Sequence, residues 1–393
     1  ASILLAPVVF LALLGGVLKI ALTALWPGLA GIWASIAQAP ISWMRRSVDW
    51  LAGLPHGDVP FPAPPAWVVV LFYVTLLLAA VNWRRPGARN LTKLAFAGAM
   101  AVLLLLPFGS TITQAPRRDG LRITILYVGA GQCAVIEPPS GRTTLIDAGS
   151  LSLSDPVRRA IAPFLRFRGI TELDTIAISH GNSDHFSAVA ELVEAYGARE
   201  VLVAQGFSGT VRGNQQASEM MTSLARSERP PRTVSFGEIV PLGSNTSIEV
   251  LWPPPALGAT ELSPNDQSMV LRFTHAGVRV LFTGDIQEAA MTELLKTPDL
   301  IRADILIAPH HGSSELSTPA FIAAVQPRAI ISSNDRTLTG KQKRFEAMAG
   351  LLPVFRTHTS GAVTIRIDSQ GHYRVDPFIR SLPAVVGHAN PAP

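Results

Sequence analysis

The sequence predicts an α/β domain preceded by transmembrane α-helices, and three observations carry that reading. Long apolar runs crowd the first 110 residues. After residue 120, short β-type runs alternate with helical stretches. Four of those β-type runs end in side chains that bind metals, namely Asp147, the cluster His180–His185, Asp285 and His310-His311. In α/β folds, rigid backbone at the carboxyl ends of strands projects side chains into a crevice, so ligands gather there.

The composition is uneven. Of 393 residues, 48% are hydrophobic and only 16% charged, against roughly 25% charged in an ordinary soluble domain. Nine Lys/Arg lie before Asp119, against Asp49 and Asp58 alone, so the remainder is close to neutral. The basic balance therefore belongs to the N-terminal third and leaves no general nucleic-acid footprint on the rest. Cys133 is the only cysteine, which excludes an internal disulfide. The chain begins at Ala without a signal-peptide layout and reads as the C-terminal part of a longer protein.

Ser2 to Trp26 is almost continuously apolar, broken by Lys19, and Ala66 to Trp83 and Leu91 to Phe108 repeat the pattern. Each run is about the length needed to cross a hydrocarbon core of roughly 30 Å. Trp26, Trp67 and Trp83 stand at run ends, where aromatic belts form. Between the first two runs, Ile32 to Leu54 mixes apolar residues with Arg45, Arg46 and Asp49 and reads as interfacial or packed in a bundle. Arg84, Arg85, Arg89 and Lys93 fill the loop between the second and third runs. The positive-inside rule places that loop in the cytoplasm and everything after Gly109 on the outer side. Residues 1–110 are thus expected as membrane helices, 111–120 as a linker, 121–376 as the α/β domain and 377–393 as a loose Pro/Ala-rich tail.

Within the domain, Leu121–Leu126 enters the glycine turn Val128-Gly-Ala-Gly131, and Ala134–Ile136 and Thr143–Ile146 follow as strands, the latter ending at Asp147-Ala-Gly149. Ser154–Arg168 reads as a helix capped by Ser154 or Asp155 with Pro156 in its first turn. The strand Thr175–Ile178 opens onto His180-Gly-Asn182-Ser-Asp184-His185, and a helix Ser187–Tyr196 follows. Val201–Val203, Thr233–Val240 and Ile248–Trp252 read as strands around a helix over 215–226. Met269–Phe273 and Val278–Phe282 form a hairpin about residues 274–277, the second strand ending at Asp285. Ile305–Ala308 ends at His310-His311, and the strands 329–332 and 361–367 close the domain.

Four metal-binding groups fall within the six residues His180–His185. Imidazole suits zinc, iron and manganese, and a carboxylate beside it holds a second ion or orients a water. Asp184 and His185 can face one ion while His180 and Asn182 face another. A lone Asp147 or Asp285 would be a turn aspartate; four ligand-bearing strand ends together imply one pocket assembled by the fold.

The run His180–His185 resembles the H-x-H-x-D-H loop of the metallo-β-lactamase superfamily, whose fold is an αββα sandwich of two mixed sheets between outer helices. With Val128-Gly-Ala-Gly131, Asp147-Ala-Gly149, Asn265-Asp-Gln-Ser268, Gly284-Asp285 and Pro309-His310-His311-Gly312-Ser313, residues 121–375 resemble the C-terminal domain of ComEC competence proteins. In that family a polytopic channel carries single-stranded DNA across the bacterial inner membrane. The departures are Asn182 in place of Asp or His, Ala130 and Gln132 in the glycine turn, no third-motif His, and Leu338-Thr-Gly-Lys341 where a Tyr-Gly-His-Pro element is usual.

The resemblance implies one or two divalent ions, Zn or Mn, held by His180, Asn182, Asp184, His185, Asp285 and His310 or His311. Asp184, Asp285 and His311 would take part in catalysis; Asp147, Asn265 and Ser268 would support the ligands from behind. Lys341, Lys343 and Arg344 are candidate DNA contacts. The implied protein is a multi-pass inner-membrane one that meets DNA, membrane lipid and other DNA-uptake proteins. Its domain would lie outside the cytoplasm and hydrolyse the strand that is not imported. The alternatives are a catalytically degenerate domain that binds or guides DNA, favoured by Asn182 and the missing histidine, and a metallohydrolase of another ester.

Overall fold

The computed structural model describes residues 2–52, 66–82, 90, 94–98, 101, 120–207, 214–243, 245–255 and 262–389. The chain divides into two compact units, 1–61 and 62–393. In the first, helices α1 (Ser2–Leu25) and α2 (Ala30–Ala52) form a hairpin joined by the 3-10 turn Pro27–Leu29. They approach where α1 has no side chain: a methyl on Gly15 would lie 3.5 Å from Ala37 Cα. Leu13, Val17 and Ile20 are exposed.

Helix α3 (Ala66–Asn82) falls on the second expected span, with 17 residues described, and α2 carries Arg45, Arg46 and Asp49. Among the described residues no helix is long and apolar enough to cross a membrane. Of the third expected span only residues 94–98 and 101 are described, as helix, and of the linker 111–120 only Gly120.

The remainder of the second unit is a sandwich. Strands β1 (Gly120–Ile125), β2 (Cys133–Glu137) and β3 (Thr144–Ala148) lead into a π-helical turn, Val157–Ile161, and α4 (Ala162–Phe167). Then come β4 (Thr175–Ile178), α5 (Ser183–Phe186), α6 (Val189–Tyr196), β5 (Glu200–Ala204), α7 (Gln215–Arg226) and β6 (Arg232–Val234). The second half holds β7 (Ile239–Gly243), β8 (Thr246–Trp252), β9 (Val270–His275), β10 (Val278–Phe282), α8 (Glu288–Leu294) and β11 (Ile305–Ile307). It continues with α9 (Thr318–Val325), β12 (Ala329–Ser332), α10 (Gly340–Ala349), β13 (Val354–Arg356), α11 (Thr357–Ser360), β14 (Val363–Asp368), β15 (His372–Pro377) and β16 (Val385–His388).

One sheet runs β16-β15-β14-β1-β2-β3-β4-β5-β6, the other β13-β12-β11-β10-β9-β8-β7. The period-two alternation of each strand sorts its side chains into layers. Ile123, Ile146, Ala177, Val280, Phe282 and Ile307 meet in the apolar layer between the sheets. Leu145, Ile176 and Ile178 face α4, α6 and α7 on one outside; Leu281, Leu306 and Ile330 face α8, α9 and α10 on the other. The result is the expected αββα sandwich.

Three expectations need correction. Thr233–Val240 is not one strand: β6 pairs with β5 and β7 pairs with β8, so the chain changes sheets at Gly237, whose φ of 79° breaks extended backbone. The tail contains a strand, since β16 pairs antiparallel with β15 and extends the first sheet. The metal-type motif is not a plain loop, because Ser183–Phe186 forms a helical turn.

Candidate metal centre

Parallel pairing of β3 with β4, and of β10 with β11, brings the four ligand-bearing strand ends to one edge of the sandwich. The short helix α5 then lies on two glycines. A Cβ on Gly149 would stand 2.5 Å from Ser183 O and Asp184 C; one on Gly131 would stand 2.8 Å from Asp184 O. Both approaches are closer than any side chain allows, so these positions admit the helix only as glycine. Gln132 N donates to Asp184 O at 3.1 Å and fixes the helix there.

Asp184, His185, Asp285 and His311 converge: one ligand atom from each lies within 4.8 Å of all the others. His185 Nε2 is 3.2 Å from Asp285 Oδ1 and 3.8 Å from Asp184 Oδ2. His311 Nε2 is 3.3 Å from Asp184 Oδ2 and 3.4 Å from Asp285 Oδ2. Each ring is oriented through its other nitrogen. His185 Nδ1 meets Asp147 Oδ2 at 2.8 Å, and His311 Nδ1 meets the Ser333 carbonyl at 2.8 Å. A ring that donates through Nδ1 presents a free lone pair at Nε2, the arrangement of a metal-ligating histidine.

Asp147 is fully buried and held in the left-handed region at φ 56°. Its carboxylate accepts from Ser179 N at 2.7 Å, Ser179 Oγ at 3.0 Å and Gln132 Nε2 at 3.3 Å. His310 and His311 also have positive φ, 47° and 55°. Strained backbone of this kind persists where surrounding structure over-determines it, and it clusters at functional sites.

The electrostatics are those of imidazoles locked between carboxylates. Burial opposes a charge on His185, yet Asp285 and Asp147 hold its pKa well above the ordinary imidazole value. Burial opposes His311 likewise, and Asp285 and Asp184 raise it to about 9. Burial disfavours the charged form of Asp285, but His185 and His311 keep its carboxyl well below the usual range. Burial raises Asp184 too, but the His311 hydrogen bond and the charges of His185 and His311 together hold it below the ordinary carboxyl value. His180 goes the other way, to about 4, because burial and the neighbouring His185 dominate.

The donor set fits a divalent ion. His185 Nε2 and His311 Nε2 face each other at 3.3 Å with two carboxylates beside them. His180 Nε2 and Asp285 Oδ1 are buried and lack hydrogen-bond partners, an expensive state that a cation relieves. Nitrogen and carboxylate ligands together suit zinc and its first-row neighbours.

The other expected site residues take varied places. His180 and His310 flank Asp285, at 4.0 and 3.9 Å from its Oδ2. Asn182 Nδ2 donates to Asn265 Oδ1 at 2.7 Å, and Asn265 reaches His310 Nε2 at 3.4 Å. Ser268 Oγ accepts from Asp285 N at 3.0 Å and so holds that backbone. Lys341 is turned to Glu315 at 2.7 Å, and Lys343 and Arg344 are exposed along α10. Ser179 escaped the sequence reading although its hydroxyl also reaches His180 Nδ1 and His185 Nδ1, at 3.1 and 3.2 Å. Its place directly before the first histidine, at a buried strand end, was the available signal.

A two-layered β core with outer helices and an Asp/His centre at one edge defines a metallohydrolase-type sandwich. Residues 126–331 match the family described as the metallo-beta-lactamase superfamily, and the chain belongs to it. Residues 1–86 match a second family, described as competence protein. The chain is 25% identical over 381 residues to ComE operon protein 3 of Bacillus subtilis, covering 92% of this chain and 47% of that one. It is 26% identical over 336 residues to competence protein ComA of Neisseria gonorrhoeae, covering 83% and 42%. It thus spans under half the length of both relatives. Among solved structures, the metallo-beta-lactamase fold protein YhfI of B. subtilis is similar at 11% identity with a TM-score of 0.41, over 61% of this chain and 98% of that one. The joined competence and metallo-β-lactamase segments make this a ComEC-family protein.

Proposed function

We propose that the chain is the membrane-proximal part of a bacterial DNA-uptake protein, and that its sandwich domain hydrolyses phosphodiesters of the strand that is not imported. The single observation that carries the hydrolase reading is the convergence of Asp184, His185, Asp285 and His311. The likeness to the competence relatives supports DNA as the substrate. Residues 1–110 are assigned to membrane helices in the inner membrane, with the domain on the outer side. The exposed apolar side chains of α1 and α3, Val17, Ile20, Leu77 and Val81 among them, support contact with lipid.

One or two Zn or Mn ions would be held by Asp184, His185, Asp285 and His311, with His180 and His310 beside them. Such an ion supplies an acidified water and a positive centre for a phosphodiester oxygen. The chain's own residues do the rest. Asp147 fixes the His185 ring, Ser333 fixes His311, and Ser268 holds the backbone of Asp285. Asp184, the more exposed of the two converging carboxylates, would accept a proton from the attacking water and orient it. His310, with a side chain 27% exposed and 3.9 Å from Asp285 Oδ2, would face the departing oxygen.

A second reading, a domain that guides DNA without cutting it, is favoured by the pairing of Asn182 with Asn265, which occupies the amide at a usual ligand position. Metal content of the full chain in detergent, with manganese- and zinc-dependent cleavage of single- and double-stranded DNA, separates the two. Stoichiometric metal and cleavage that vanishes in Asp285→Ala support the nuclease. A folded chain with neither supports guidance.

A further inference from the structure

We propose that a cleft on the outer face of the first sheet is a binding groove for one strand of nucleic acid. The cleft encloses about 1570 Å³ beside β1, β14 and β15. Because Ile123 and Ile365 point into the core between the sheets, the alternate residues of β1 and β14 point outward. On that face Arg122 stands directly opposite Arg366, and Arg366 directly opposite Arg374. Three guanidinium groups therefore form a row across three neighbouring strands.

Like charges in register destabilise a sheet, and two carboxylates are shared among the arginines: Glu137 of β2 stands directly opposite Arg122. Asp376 serves both Arg366 and Arg374, the latter at 2.6 Å. Arg168, also in the cleft, is held by Glu137 at 3.1 Å. Arg159 and Arg380 add to the lining, in which Asp376 is the only acidic residue. The excess of positive charge asks for a polyanion.

The aromatic residues narrow the choice. Phe167, at the end of α4, is 64% exposed and Phe378 is 83% exposed, and both line the cleft. Phe378 is not on a loose end: its N–H donates to Ala362 O at 2.8 Å, and Ile379 N donates to Ser360 O at 2.7 Å. Two rings held open to water beside a row of arginines present stacking platforms next to phosphate partners, the combination that binds unpaired bases. A duplex hides its bases from such rings, and inorganic polyphosphate has no use for them. One residue of the groove touches the segment that supports the candidate metal centre. Tyr127 in its lining reaches Asp335 Oδ1 at 3.5 Å, two residues from the carbonyl that orients His311. Naming the strand as DNA rests on the function proposed above; the preference for an unpaired strand rests on the groove alone.

The test is fluorescence anisotropy of a labelled oligodeoxythymidine with the full chain in detergent, in excess chelator so that nothing is cut. Phe167→Ala with Phe378→Ala should weaken binding roughly tenfold or more, with the melting temperature unchanged because both rings are exposed. Arg159→Glu with Arg380→Glu should weaken it and flatten its salt dependence. Duplex of the same length should bind less tightly than the single strand, and phosphatidylglycerol should not compete. Equal affinity of the phenylalanine variant and the wild type would overturn the proposal, as would equal binding of duplex, or displacement by the lipid that marks the cleft as a membrane-facing surface. Since these arms need no metal, a chain that cuts nothing would count against the nuclease while leaving the groove decided on its own evidence.

Discussion

The metal centre and the arginine cleft lie on one domain and are built by opposite means. The centre uses strand ends, buries its charges and orients His185 and His311 through hydrogen bonds to Asp147 and the Ser333 carbonyl. The cleft uses the middles of strands, leaves Arg366 and Arg374 half exposed and stacks like charge on like. Buried polar networks lose steeply when one member is removed, whereas exposed pairs are each worth little. Substitutions at the centre should therefore act singly and strongly, and those at the cleft only in combination.

The sharpest break is Asp285→Ala. It removes the carboxylate shared by His185 and His311, and we expect loss of bound metal with hydrolysis down roughly a thousandfold or more, read by elemental analysis and initial rates. Gly149→Ala comes next. The added methyl meets Ser183 O and Asp184 C at 2.5 Å, so α5 must move; a loss of about 3 kcal/mol, roughly 5–10 °C in Tm, should appear in calorimetry. Asp147→Asn keeps the shape but turns an N–H toward the Nδ1–H of His185, and metal affinity by titration should fall about 10- to 100-fold. Lys341→Ala should be the mildest. It removes an exposed pair with Glu315, and a change above about 1 kcal/mol in stability, or any change in metal content, would show that α10 belongs to the centre after all.

The same contrast explains what the sequence made legible. His180, Asn182, Asp184 and His185 lie within six residues, and Asp285 and His310-His311 each follow an obvious apolar strand, so the centre could be read from local pattern alone. Arg122 and Arg374 are separated by nearly the whole domain and meet across Arg366 through strand register, which no local pattern records. The division of 233–240 between two sheets was hidden for a related reason: the residues keep β-type chemistry on both sides of Gly237, and only the turn reveals the change. The pairing of Asn182 with Asn265 likewise depends on tertiary approach rather than on either motif.

The register of β1 carries a further consequence for synthesis. One edge of β1 pairs at once with β2, but the other is completed by β14, with Leu121 opposite Ile367. The first strand of the domain to leave the ribosome must therefore wait for one of the last, and such long-range pairing slows folding. Until then the N–H and C=O groups along that edge stay open to any other extended chain. A translation product cut short before Val363 would keep its whole metal-type motif and still present an unpaired edge, making it a substrate for chaperones and proteases before it could be a catalyst.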